Sequence, residues 1–179
     1  EVPKFDYRQR AKDFFILSKP LIVALLLVTT YSGLVAGSRA WPSASLTFWT
    51  LLGGMFAAAG SSALNQFIDR ELDKNMQRTA KRPLADGRLT AAEGLSYGLA
   101  LSLVSYYVMA GFVNLLAALL SLAGIFYYVI FYSVMLKKAT VQNIVIGGGA
   151  GAIPPMVGWA AATGHLGLAP WILFAIVFF

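Results

Sequence analysis

Apolar runs long enough to cross a bilayer alternate along this chain with short polar connections. From residue 14 or 20 to residue 36 the chain is mostly leucine, valine, alanine and threonine, with Pro20 at or near the start, where a helix tolerates it. Further runs follow at 46–68, 91–111, 115–135 and 144–162, and a sixth begins near Leu168 and is still apolar at Phe179. About twenty residues span the hydrocarbon core as a helix, the element that satisfies its own backbone there. The pattern predicts an all-α, polytopic transmembrane helical bundle with five complete spans and part of a sixth. Because the sequence stops within an apolar segment, residues 1–179 are expected to be a single transmembrane domain that is carboxy-terminally incomplete.

Within that frame, smaller features predict how the spans meet. Gly53, Gly54, Gly60, Ser61 and Ser62 suit close helix packing in the second span. The very short connection around Asn114 makes the third and fourth spans antiparallel neighbours. Pro154 and Pro155 are expected to kink or break the fifth. Residues 1–19 mix bases and acids and carry Phe14, Phe15 and Ile16 near their end, which reads as an interfacial lead-in. No signal peptide is expected, since this segment is polar and the following apolar run is too long for one.

Composition supports a membrane protein and narrows its chemistry. The chain is 58% hydrophobic and 12% charged, with a mean hydropathy of +0.69, well beyond a soluble domain. With no cysteine, a disulfide framework and a thiolate metal site are both excluded. A net charge of +6 would suggest nucleic acid for a soluble protein, but its distribution explains it better and no nucleic-acid partner is expected. All of the 14 bases except Arg39 fall in the amino-terminal segment, the connection after the second span and the connection after the fourth. These three share one side of the membrane. The positive-inside rule puts that side in the cytoplasm, at a bacterial inner membrane, or in the matrix for a mitochondrial inner membrane.

The candidate chemistry lies in residues 65–88, NQFIDRELDKNMQRTAKRPLADGR. Asn65, Asp69 and Asp73 recur every fourth position, which on a helix keeps them within about an 80° arc and a span of roughly 12 Å. Arg78, Lys81 and Arg82 follow, and the residue before Pro83 avoids the α region, so the helix has ended by Arg82 and the bases can fold back over the acids. A solvated connector would account for the bases. It would not account for Asn65 and Asp69, which extend the polar face toward the bilayer, where such groups mark function. Two carboxylates and an amide suit a hard cation, and a diphosphate bridged by magnesium fits the adjoining bases best. A cation-coupled transporter is the reading from another class, although these acids sit at a helix end and not at the membrane midplane.

The pattern N-x-x-x-D-x-x-x-D of Asn65, Asp69 and Asp73, followed by Arg78, Thr79, Arg82, Pro83 and Leu84, resembles the first aspartate-rich motif of the UbiA superfamily of intramembrane prenyltransferases. Residues 136–164 resemble the branch of that superfamily that farnesylates protoheme IX to make haem O, notably at Lys137, Thr140, Gln142, Asn143, Gly147, Gly148, Gly151, Pro154, Pro155, Gly158 and Trp159. The resemblance implies a bundle of nine helices around a central cavity, of which about five and a half are present here. The superfamily's second aspartate-rich motif, between the sixth and seventh helices, is not in this sequence. It also implies farnesyl transfer from farnesyl diphosphate to a vinyl group of haem B. Magnesium would be held by Asp69 and Asp73 with Asn65 in support, and the diphosphate by Arg78, Lys81, Arg82 and Lys138. Haem A synthase or oxidase assembly factors are implied as protein partners. A UbiA-type enzyme acting on an aromatic quinone precursor is the alternative within the superfamily.

Other residues invite weaker readings. His165, the only histidine, is expected in a solvated loop on the face opposite the acids and not as a haem ligand. The GGGAG run at 147–151 lacks the strand and lysine of a phosphate loop, and fits close packing or room for a flat porphyrin. Tyr127, Tyr128, Phe131 and Tyr132 suit a prenyl cavity or an interfacial aromatic belt equally. Asn143 suits a contact to diphosphate or a haem propionate, or a helix cap, equally.

Overall fold

A computed structural model describes residues 6–136 and 143–179, with the side chains of all but 136, 143 and 144. The described residues form seven α-helices: α1 (Tyr7–Leu17), α2 (Pro20–Ser38), α3 (Ala44–Lys74), α4 (Ala91–Phe112), α5 (Leu115–Phe126), α6 (Asn143–Thr163) and α7 (Leu168–Phe178). A π-helical segment, Tyr127–Leu136, continues α5.

Local chemistry starts most of these helices. The Asp6 carboxylate accepts from the amides of Arg8 and Gln9 to cap α1, and Ser43 accepts from the amide of Leu46 to cap α3. Thr90 and Glu93 form a reciprocal capping box at α4. Asn114 caps α5 through the amide of Ala117, and its Nδ2 donates to the carbonyls of Ala160 and Ala161. One side chain thus sets the α4–α5 corner and ties it to α6.

Four helices among the described residues are long and apolar enough to cross a membrane: Pro20–Ser38, Ala91–Phe112, Leu115–Met135 and Val145–Thr163. The chain is an integral, multi-pass membrane protein. Five complete spans and part of a sixth were expected. The partial sixth is α7, an apolar helix of 11 residues, and the remaining run differs. Helix α3 has 31, a length of roughly 46 Å that overruns a bilayer, but it buries Thr50, Ser62, Asn65, Gln66, Asp69 and Asp73. Its hydropathy is lowered by polar groups that face protein.

Helix α3 packs along α4, and α2 along α6, with α5 against α4 and α6. The main core unites Leu34, Met109, Ala117, Ala118, Val157, Ala160 and Ala161. Glycines decide how close α2 and α6 come. A Cβ on Gly158 would lie 1.9 Å from the Thr30 carbonyl oxygen, and one on Gly33 would lie 2.0 Å from that of Pro155. Backbone therefore rests on backbone, as small residues permit within a membrane. The proline pair does not break the fifth span: α6 runs through Pro154 and Pro155 as one helix. Lacking amide hydrogens, the two prolines leave the carbonyls of Ala150 and Gly151 without their usual donors four residues on.

The lead-in is a separate helix. Its Leu17 packs with Ala63, Leu84 and Leu89 in a second core cluster, and Leu17's carbonyl accepts from Ser62 Oγ and Gln66 Nε2. Buried Asp13 forms an ion pair with Arg88, and Arg10 with Glu93. Together these hold α1 over the end of α3 and the loop that follows it.

Candidate active site

The period of four places Asn65, Asp69 and Asp73 on one face of α3, each at most 4% exposed. Asn65 is held on both sides of its amide. Its Nδ2 donates to Asp69 Oδ2 at 3.0 Å and to Ser133 Oγ at 2.9 Å, while its Oδ1 accepts from Lys19 Nζ at 3.2 Å. Asp73 Oδ2 accepts from Arg82 Nη1 at 2.7 Å. Asp69 thus meets an amide that is itself held by the Lys19 ammonium, and Asp73 meets a guanidinium, contacts that limit the penalty of removing the charges from water.

Arg82 arrives there because the loop after α3 is wound and not extended. The Thr79 hydroxyl donates to the Asp73 carbonyl at 3.3 Å, and the Arg82 amide donates to the Thr79 carbonyl at 3.0 Å. Thr79, Pro83, Leu84, Ala85 and Leu89 are buried beneath it. Of the three bases expected to fold back over the acids, only Arg82 pairs with a carboxylate among the described residues; Arg78 and Lys81 are exposed. Arg88 turns away, to Asp13, Asp86 and the carbonyl of Lys81. On the exposed side of the last turn of α3, Lys74 donates to Glu71 at 2.8 Å and holds that carboxyl below its usual pKa. Lys138 and the side chain of Asn143 lie outside the described residues.

Sequence reasoning missed Lys19 and Ser133. Lys19 occupies the left-handed region, with φ 47° and ψ 65°, at the corner between α1 and α2. That conformation disfavours a residue with a Cβ by roughly 1 kcal/mol. It turns the chain into α2 beside Asn65, which its side chain reaches. A lysine beside the proline that opens an apolar span was the available signal.

Ser133 is placed by the π segment. It donates to the carbonyl of Tyr128 at 2.9 Å, five residues back, and accepts from Asn65. In an α-helix, residues five apart are separated by about 140°, whereas the wider i→i+5 turn of a π-helix brings them onto one face, much as residues four apart are in an α-helix. The aromatic run around it divides. Tyr127 donates to the Ile146 carbonyl at 2.6 Å, and the Tyr127 and Tyr132 side chains occupy the space that a Cβ on Gly149 or Gly147 would need. Phe131 is exposed. Tyr128 lines a half-open cavity of about 200 Å³ between α2, α3, α5 and α6, with Lys19 and Ser62 among its polar lining residues. His165 is exposed in the α6–α7 connection, as expected.

Among the described residues no group of three or more His, Cys, Asp and Glu side chains gathers to hold a metal by itself. The donors at the site are carboxylate and amide oxygens, which suit magnesium, an ion that takes one or two carboxylates and completes its shell with water and phosphate oxygens. Asp69 and Asp73 fit that description. They do not fit a softer metal, which would seek imidazole or thiolate.

The UbiA prenyltransferase family model matches residues 26–179. The protoheme IX farnesyltransferase of Roseiflexus sp. (strain RS-1) is 48% identical over 168 residues, covering 94% of this chain and 32% of that protein. The one from Microcystis aeruginosa is 46% identical over 173 residues, covering 97% of this chain and 55% of that protein. The chain thus spans between a third and about half the length of these relatives. The structure of a UbiA homolog from Archaeoglobus fulgidus bound to DMAPP and Mg2+ superposes with a TM-score of 0.77 at 20% identity, covering 93% of this chain and 59% of that one. A structure of a UbiA homolog from the same organism bound to GPP and Mg2+ gives 0.76 at 19% identity.

Proposed function

The chain belongs to the UbiA prenyltransferase family, and we propose that the protein it represents transfers farnesyl from farnesyl diphosphate to a vinyl group of haem B, giving haem O. The observation that carries this reading is Lys19, which lines an apolar cavity and bonds Asn65 of the buried Asn65, Asp69 and Asp73 face. A prenyl diphosphate has that same division, an anionic head on an apolar tail. The relatives' activity on protoheme IX supports haem B as the acceptor.

Asp69 and Asp73, with Asn65 in support, would hold magnesium, which when bound supplies positive charge to the departing diphosphate. Arg82 and Lys19 donate charge-assisted hydrogen bonds to its oxygens, and Arg78, Lys81 and Lys138 are placed in the sequence to add to them. Asn65 orients Asp69. The bond between the allylic carbon and diphosphate oxygen breaks, with the electron pair leaving on oxygen. The cavity wall of Ile22, Leu26 and Ile125 keeps water from the allylic cation. The haem vinyl group then forms the new carbon–carbon bond, and water adds to the resulting cation with loss of a proton to give the hydroxyl group. The amino terminus and the 75–90 loop face the cytoplasm or matrix in this reading, as the distribution of bases requires.

The test is prenyl transfer by the full-length protein in nanodiscs with farnesyl diphosphate, haem B and magnesium, read by mass spectrometry. Haem O that forms and ceases to form with EDTA is the expected result. Magnesium-dependent prenylation of an aromatic acid, with none of haem, would move the protein to the quinone branch.

A further inference from the structure

The cavity lined by Lys19 is open on one side, where Ile22 is half exposed, and buried at its end by Thr30 and Val157. Along α2 its wall is Lys19, Ile22, Leu26 and Thr30, a single helix face about 16 Å long. Lys19 stands at the polar end and Thr30 at the other, where Gly54 of α3 and Val157 of α6 meet it. Val157 is itself buried. That residue belongs to the main core with Leu34, Met109, Ala117 and Ala118. Beside it the α2 and α6 backbones are in contact at Thr30 and Gly158, where not even a methyl group fits. Side chains can move aside for a ligand, but two packed helix backbones cannot.

We propose that Thr30, Gly54 and Val157 form a floor that gauges prenyl length, admitting three isoprene units from a head group at Lys19 and excluding a fourth. This rests on the reading of the protein as a prenyltransferase and adds the residues that choose among donors. The floor is made of small groups, so its depth responds to single substitutions. Gly54 is the clearest position. A Cβ built there is 3.5 Å from Leu27 and 4.0 Å from the Thr30 hydroxyl, ordinary contact distances. A side chain at 54 is therefore tolerated by its neighbours, and a long one extends into the shaft.

The experiment compares geranyl, farnesyl and geranylgeranyl diphosphates on the full-length protein in nanodiscs, by kcat/KM with haem B and by competitive binding without acceptor. The unaltered protein should favour farnesyl. Gly54→Leu should shift the farnesyl-to-geranyl ratio toward geranyl by about tenfold or more, the scale on which a pocket reads a few methylenes. Val157→Ala should raise the geranylgeranyl-to-farnesyl ratio severalfold. Gly54→Ala, the mildest filling, should shift the first ratio in the same direction by less. Equal losses for farnesyl and geranyl in both Gly54 variants would overturn the proposal, as would an unchanged geranylgeranyl ratio in Val157→Ala. The binding arm separates the two readings. If the diphosphates bind and haem is not prenylated, the acceptor assignment fails while the gauge is still measured. If none of the three binds, both readings fall.

Discussion

Lys19 Nζ donates to Asn65 Oδ1 at 3.2 Å, joining positions 46 residues apart in the sequence. The contact links the strained corner between α1 and α2 to the polar face of α3. It also sets Asn65, because an amide whose oxygen meets an ammonium presents its nitrogen to the Asp69 carboxylate. The backbone strain at Lys19 and the order of the acid cluster are thus two ends of one arrangement.

Substitutions at Lys19 separate these roles. Lys19→Ala should lower kcat/KM for the prenyl diphosphate by roughly tenfold or more, the scale of one charge-assisted hydrogen bond. Lys19→Gly should do the same while being thermally more stable than Lys19→Ala, since glycine accepts positive φ without strain. Lys19→Arg should recover part of the loss. Steady-state kinetics and thermal unfolding in detergent check all three.

Removing either acid should abolish turnover without unfolding the protein. Asp69→Asn and Asp73→Asn keep shape and hydrogen bonding while removing charge, and each should reduce kcat by about a hundredfold or more. Asp73→Ala should in addition destabilise the loop, because it leaves the partly buried Arg82 without its carboxylate. Turnover near that of the unaltered protein in both Asn variants would contradict the metal assignment.

Ser133→Ala tests the π segment. The hydroxyl accepts from Asn65 and donates to Tyr128, so its loss frees Asn65 Nδ2 from one of its two acceptors. A severalfold fall in kcat is expected, matching about 1 kcal/mol for one neutral hydrogen bond. Ser133→Thr should retain most of the activity.

Two glycines on the helices should respond in opposite directions to alanine. At Gly158 the added methyl meets the Thr30 carbonyl oxygen at 1.9 Å, and overpacking of about 1–3 kcal/mol or more outweighs alanine's gain in helix propensity. At Gly111 a Cβ meets nothing within 4 Å, so alanine should stabilise by up to about 1 kcal/mol. Thermal unfolding in one detergent compares them.

The polar face of α3 was legible because its signal is local: three residues spaced four apart need only a helix to converge. The return of Arg82 followed from Pro83 in the same way. Arg78 and Lys81 share Arg82's charge and neighbourhood but not its position in the wound loop, and only the turn hydrogen bonds of Thr79 and Arg82 distinguish them. Lys19 and Ser133 were not legible, since each meets Asn65 across a long stretch of sequence. The π geometry was hidden too, because the apolar pattern of 115–135 reads equally well in either helix type. Gly147 and Gly149 were marked for packing or for porphyrin, and the tyrosine rings beside them supply the packing.

The measurement that bears most directly on the site is electron paramagnetic resonance of Mn2+ standing in for magnesium on the full-length protein with farnesyl diphosphate. A bound signal with phosphorus coupling is expected, lost in the Asp69→Ala, Asp73→Ala double variant. An unchanged signal in that variant would contradict the assignment of Asp69 and Asp73 to the metal, since the metal and diphosphate would then be held elsewhere.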